Sequence, residues 1–134
     1  MSETKLLKAA LEIRERAYAP YSKFAVGAAL LTKAGEVFVG CNVENVSLRL
    51  TTCAEQAAVA AAIAKGQSEF IAIAVVANSK EPVVPCGGCR QLLAEFNPKL
   101  AVISATVSGE LQQFELANLL PHPDQGVLEG RRHV

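Results

Sequence analysis

The segment Phe70 to Ala77 reads Phe-Ile-Ala-Ile-Ala-Val-Val-Ala, an apolar run with no polar residue on either side of its pleat. A strand of that kind is buried on both faces, so the chain must supply cover above and below it. The rest of the sequence offers that cover. Glu3 to Ala17 places Leu6, Leu7, Ala10, Leu11 and Ile13 at helical spacing, and Tyr18-Ala-Pro20-Tyr-Ser then breaks the pattern. Phe24 to Thr32 and Glu36 to Asn42 are β-rich runs joined by Lys-Ala-Gly35, which reads as a hairpin. Val43 to Thr52 has no period and reads as a loop. Cys53 to Lys65 is dense in helix formers, can be capped by Thr51 or Thr52, and ends at Gly66.

After the central strand, Asn78 to Val84 is a polar loop containing Pro82, and a further helix runs to about Phe96. Lys99 to Val107 reads as a strand, Gly109 as a turn, and Phe114 to Leu120 as a short helix stopped by Pro121. Helix, hairpin, helix, strand, helix, strand is the order of a layered α/β domain. The 134 residues fit a single domain over 1–134, with the tail from about Pro121, rich in Pro, Gly and charge, expected to be only partly ordered.

Two short segments carry the chemistry. Cys53-Ala-Glu55 and Pro85-Cys86-Gly-Gly-Cys89 together offer three thiols and a carboxylate. Structural zinc is normally closed by four protein ligands, whereas catalytic zinc keeps three and leaves the fourth position to water. Cys53, Cys86 and Cys89 are therefore the expected ligands of one zinc ion, and Glu55 the proton carrier for a water that zinc brings to a pKa of about 7. If both motifs open helices, the sulfurs sit where free N–H groups and aligned peptide dipoles favour thiolate. The glycines between Cys86 and Cys89 let backbone approach the metal without side-chain crowding. The competing reading of Cys86-x-x-Cys89 is a redox dithiol, but the chain has no thioredoxin-like setting around it. Cys41 has no motif about it and reads as a small buried hydrophobe; His122 and His133 lie in the tail and read as exposed bystanders.

This arrangement is the signature of zinc deaminases acting on nucleobases and nucleosides. Four segments extend the likeness: Tyr18-Ala-Pro-Tyr21-Ser-Lys-Phe24-Ala-Val-Gly27-Ala-Ala-Leu, Gly40-Cys-Asn42-Val-Glu44-Asn45, Cys53-Ala-Glu55 and Pro85-Cys86-Gly-Gly-Cys89-Arg90-Gln91. In order and spacing, from Tyr18 to about Phe96, the chain resembles the small homotetrameric cytidine deaminases. The resemblance implies a three-layer α-β-α sandwich around a mixed five-stranded sheet, a homotetramer, and hydrolysis of cytidine or deoxycytidine in pyrimidine salvage. It also implies that Asn42 and Glu44 hydrogen-bond the ribose, that Phe24 packs on the base, and that backbone around Ala54 holds the pyrimidine edge.

The chain departs from the family pattern at three places. Gln56 stands where an arginine usually hydrogen-bonds the zinc thiolates; Arg90 is expected to carry part of that task, with Arg49 a further substitute. Leu48 replaces a common aromatic residue, and Asp124 lies in a polar stretch where the family has a phenylalanine that reaches a neighbouring subunit. Loss of those aromatics would widen the pocket, which makes a modified cytosine nucleoside or an aminopyrimidine antibiotic such as blasticidin S the alternative substrate.

Composition narrows the partners. Thirteen basic residues balance thirteen acidic ones, charged residues are only 19% of the chain, and no basic stripe is present. A polynucleotide substrate is disfavoured and a free nucleoside preferred. The start, Met-Ser-Glu-Thr-Lys, lacks the apolar core of a secretory leader, no run approaches the roughly 18 apolar residues of a membrane span, and a cytoplasmic enzyme is expected. The remaining alternative, a zinc module without turnover, would need neither Glu55 nor an open metal position.

Overall fold

The computed structural model describes residues 1–125; His133 lies outside them. Helix α1 spans Glu3–Arg14, with the Ser2 hydroxyl accepting the Lys5 N–H at its start. The expected extension to Ala17 is replaced by tighter turns, in which Glu15, Arg16 and Ala17 donate to carbonyls three residues back. Strands β1 (Val26–Thr32) and β2 (Val37–Cys41) form the hairpin, turned at Gly35 with φ 89°. Helix α2 (Ala54–Ala64), strand β3 (Phe70–Ala77), helix α3 (Gly87–Phe96) and strand β4 (Ala101–Thr106) follow.

One expectation is corrected after β4. Phe114 does not open a helix: it lies in a fifth strand, β5 (Leu111–Glu115), antiparallel to β4, and only Leu116–Leu119 is helical (α4). An edge strand reading Leu-Gln-Gln-Phe-Glu owes its state to pairing with β4, a long-range term that local preference does not contain. The start of α2 also differs. Its N-cap is Cys53, and the Gln56 side chain closes the cap by accepting the Cys53 N–H at 2.8 Å. Neither threonine caps it.

The sheet order is β2-β1-β3-β4-β5, with β3 and β4 parallel and every other pair antiparallel. The two faces separate by residue parity. Ala28, Leu30, Ile73, Val75 and Val102 meet α2 and α3 through Ala58, Val59, Ala62 and Leu93. Ala29, Leu31, Ala72, Ala74 and Val76 meet α1 through Leu6 and Ala10. Three layers result, as the resemblance implies. The α1 layer lies very close to the sheet: a Cβ on Gly27 would fall 2.0 Å from the Ala10 carbonyl oxygen.

The topology also decides where α2 and α3 begin. β1 is antiparallel to both β2 and β3, so those two strands run in the same direction. α2 follows β2 and α3 follows β3 on one face of the sheet, so both helices start at the same end. Residues at the starts of these helices are brought together although many positions separate them in sequence.

Candidate active site

The chain leaves β2 at Cys41 and returns to nearly the same place eleven residues later. Val43 and Thr52 exchange both backbone hydrogen bonds at 2.9 Å, closing the intervening loop, which contains a single 3₁₀ turn at Leu48–Leu50. Cys53 is thereby delivered beside the end of β2. On the other side of Val43, Tyr18 N–H donates to the Asn42 carbonyl and Glu44 N–H to the Tyr18 carbonyl. Three segments, 18–25, 42–44 and 52–53, lie side by side.

The metal ligands expected from sequence converge. The Sγ atoms of Cys53, Cys86 and Cys89 all lie within 4.8 Å of one another. Three sulfurs at the usual Zn–S distance of about 2.3 Å in a tetrahedron are about 3.8 Å apart, so the set fits zinc with little adjustment. Cys53 is the N-cap of α2, Cys86 the N-cap of α3, and Cys89 stands in the first turn of α3. Backbone N–H of Cys89 first, and then of Gly88, holds the Cys86 thiol below its ordinary value. Burial first, then the negative charge of Glu55 and of the other two sulfurs, pushes the Cys89 thiol far up. Burial likewise raises Cys53. A dication among the sulfurs would favour the thiolate at all three, against the burial that raises Cys53 and Cys89.

Glu55 is buried, 5% exposed, in the first turn of α2. Burial pushes its carboxyl up, opposed by its own backbone N–H and by the adjacent Cys89 thiol. Burial thus makes the neutral form of this carboxyl more accessible than that of an exposed glutamate. Ala54, its neighbour, is buried at the helix start.

The residues expected to meet the sugar are also structural. Asn42 accepts the Val26 N–H at 2.9 Å through Oδ1 and donates to the Phe24 carbonyl at 2.8 Å through Nδ2. Glu44 Oε1 accepts the N–H groups of Tyr21 and Ser22 at 3.0 and 3.1 Å, and the Ser22 hydroxyl donates to Oε2. That hydroxyl, first, and then the two amides hold Glu44 below the ordinary carboxylate value. Both side chains shape the segment that carries Phe24, whose ring is partly exposed. The Ser22 contact was not legible beforehand, since a serine inside a long motif gives no sign of which hydroxyl is used.

The remaining residues stand in different surroundings. Arg90 donates from Nε to the Pro85 carbonyl at 2.7 Å and from Nη1 to the Leu119 carbonyl at 3.0 Å, tying the residue before Cys86 to α4. Arg49 is exposed and forms no ion pair or hydrogen bond among the described residues. Cys41 is half-buried. His122 is exposed with φ 57°, and Asp124 is exposed close to Pro123, whose carbonyl accepts from Gln91 at 3.0 Å.

Known proteins share this architecture and much of this sequence. The model of the cytidine and deoxycytidylate deaminase zinc-binding region matches residues 1–105. The chain belongs to this deaminase family. A cytidine deaminase of Halalkalibacterium halodurans is 48% identical over 122 residues, 90% of this chain and 92% of its own. The crystal structure of a cytidine deaminase from Burkholderia pseudomallei superposes with a TM-score of 0.88 at 47% identity, covering 91% of this chain and 98% of that one. A blasticidin-S deaminase of Bacillus cereus is more distant, 33% identical over 108 residues, 75% of this chain and 76% of its own. Membership in the deaminase family makes the chain a zinc-binding hydrolase of C–N bonds, with the cysteine cluster as the place for the metal.

Proposed function

We propose that this deaminase converts cytidine and deoxycytidine, with one water, to uridine or deoxyuridine and ammonia, and that it serves pyrimidine salvage in the cytoplasm. The observation that carries the proposal is the buried Glu55 set against three sulfurs within 4.8 Å of one another. Zinc, when bound, supplies a Lewis acid that brings water to a pKa of about 7. Cys53, Cys86 and Cys89 hold it, and the N–H groups at the start of α3 offset charge on Cys86.

Glu55 carries the protons. It takes one from the attacking water and delivers it to ring N3 as C4 becomes tetrahedral. It then takes the proton of the new C4 hydroxyl and passes it to the exocyclic nitrogen, so that C4=O forms as the C4–N bond breaks and ammonia leaves. Phe24 packs on the base, the backbone at Ala54 meets the pyrimidine edge, and Asn42 and Glu44 face the ribose. Asn42 keeps one amide N–H after its bond to the Phe24 carbonyl, and Glu44 keeps part of its accepting capacity. Gln56 orients Cys53 through its backbone, and Arg90 braces the start of α3.

The one specific support for a second reading, an aminopyrimidine antibiotic as substrate, is the 33% relative together with Leu48 and Asp124 in place of aromatic residues. The stronger and longer likeness to cytidine deaminases places cytidine first. Ultraviolet-monitored conversion of cytidine, deoxycytidine and blasticidin S by the zinc-loaded protein, with released ammonia measured in parallel, decides between them. Rapid loss of the cytidine absorbance with equimolar ammonia is expected. Turnover of blasticidin S alone would overturn the salvage assignment, and no turnover of any of the three would overturn both readings.

The assembly proposed is a homotetramer. Its support is the loop between β2 and α2, where Val46, Leu48 and Leu50 are 79%, 72% and 67% exposed in the single chain. Apolar side chains gathered on one loop are what a protein–protein contact covers.

A further inference from the structure

The strap from Tyr18 to Ala25 has little secondary structure of its own, yet Lys23 within it adopts a left-handed φ of 61°. A non-glycine residue stays in that region only where its neighbours hold it. Ser22 stands at the centre of what holds it. Its Oγ accepts the Phe24 N–H at 3.0 Å, and the same hydroxyl meets Glu44 Oε2. A hydroxyl has one proton and two lone pairs, so with Phe24 donating to it, its proton goes to Glu44.

The consequence falls on Glu44. A carboxylate offers about four acceptor positions. Two on Oε1 are taken by the amides of Tyr21 and Ser22, and one on Oε2 by the Ser22 hydroxyl. About one position remains, on Oε2.

We propose that Ser22 is a positioning residue for the nucleoside, joining the base contact to the sugar contact: its single hydroxyl fixes the backbone of Phe24 and turns Glu44 to offer one acceptor to one ribose hydroxyl. The proposal rests on the reading of Phe24 and Glu44 as nucleoside contacts. Ser22 acts on binding and leaves the chemical step alone, because Glu55 and the cysteines stand on α2 and α3 and none of them bonds to the strap. Without the hydroxyl, Glu44 is held through Oε1 alone, Oε2 has two open positions, and the Phe24 N–H loses its acceptor.

The test compares steady-state kinetics on cytidine for Ser22→Ala, Ser22→Thr, Glu44→Gln and the double variant Ser22→Ala/Glu44→Gln, all zinc-loaded. Ser22→Ala is expected to raise KM about three- to tenfold, the size of one ordinary net hydrogen bond, with kcat within about twofold. Ser22→Thr keeps the hydroxyl and is expected to stay near the native KM. In the Glu44→Gln background, the further loss of Ser22 is expected to cost clearly less than it does alone. A raised KM in Glu44→Gln beside an unchanged KM in Ser22→Ala would overturn the role of Ser22 and leave the sugar contact intact. An unchanged KM in Glu44→Gln would overturn the sugar contact itself. A kcat loss in Ser22→Ala that Ser22→Thr fails to rescue would show a merely structural residue and also overturn the proposal.

Discussion

As the proposed proton carrier, Glu55 would gain and lose a proton within one turnover, and its surroundings pull in both directions. Burial favours the neutral acid, while its own N–H and the Cys89 thiol favour the anion. Replacing the carboxylate by an isosteric amide keeps the shape and removes the proton. Glu55→Gln is therefore expected to lower kcat by about 10²–10⁴-fold, the range for loss of a general acid–base group, with the zinc content of the purified protein unchanged. Steady-state rates with metal analysis on the same sample check both halves. The cysteine cluster was legible from sequence because a zinc site demands thiols at that spacing. The use of Gln56 was not. A cysteine is an unusual N-cap, two threonines stood just before it, and only the folded backbone reveals that the Gln56 carbonyl faces the Cys53 N–H. In the place where the family pattern has an arginine, the Gln56 side chain therefore meets the Cys53 backbone.

At the scale of the elements, the packing of α2 on β2 is the contact on which the site's geometry depends. A Cβ added at Gly40 would lie 2.4 Å from the Ala54 carbonyl oxygen, 2.5 Å from the Ala58 nitrogen and 2.8 Å from the Ala57 Cβ. Two of these are backbone atoms, so helix and strand must part. Gly40→Ala is expected to destabilise the fold by about 1–3 kcal/mol or more and to weaken zinc retention, because the first turn of α2 shifts with Cys53. Gly87→Ala is the contrast, since its Cβ would meet nothing within 4 Å and a helical alanine replaces a glycine. Its thermal midpoint is expected to hold or rise. Thermal denaturation with a competitive zinc chelator on both variants measures this. Most elements could be read from periodicity, and the central strand matches its expected limits of Phe70 and Ala77. β5 could not, because Gln112 and Gln113 give no apolar alternation and the strand exists through its bonds to β4.

For the whole molecule, surface composition and topology divide the work. Positive and negative charges balance, and among the described residues no helix is long and apolar enough to cross a membrane. The apolar loop at Val46, Leu48 and Leu50 is the surface on which assembly is expected. Light scattering should give about four chain masses for the native protein, and Leu48→Asp with Val46→Asp should reduce this while the circular dichroism spectrum is retained; a native monomer would count against the tetramer. The layered order was legible because apolar periodicity reports burial. That the metal ligands meet was expected from their chemistry, whereas the reason they meet lies in strand direction, which no local pattern records. The shared direction of β2 and β3 has one more consequence. The residues proposed to recognise or transform a substrate sit where elements begin or on the loops beside them, while most of the interdigitating side chains that fold the chain lie along the middles. Changes of taste for one amine over another can accumulate at that rim without disturbing what keeps the protein upright, so the same frame can be refitted for a new substrate without being rebuilt.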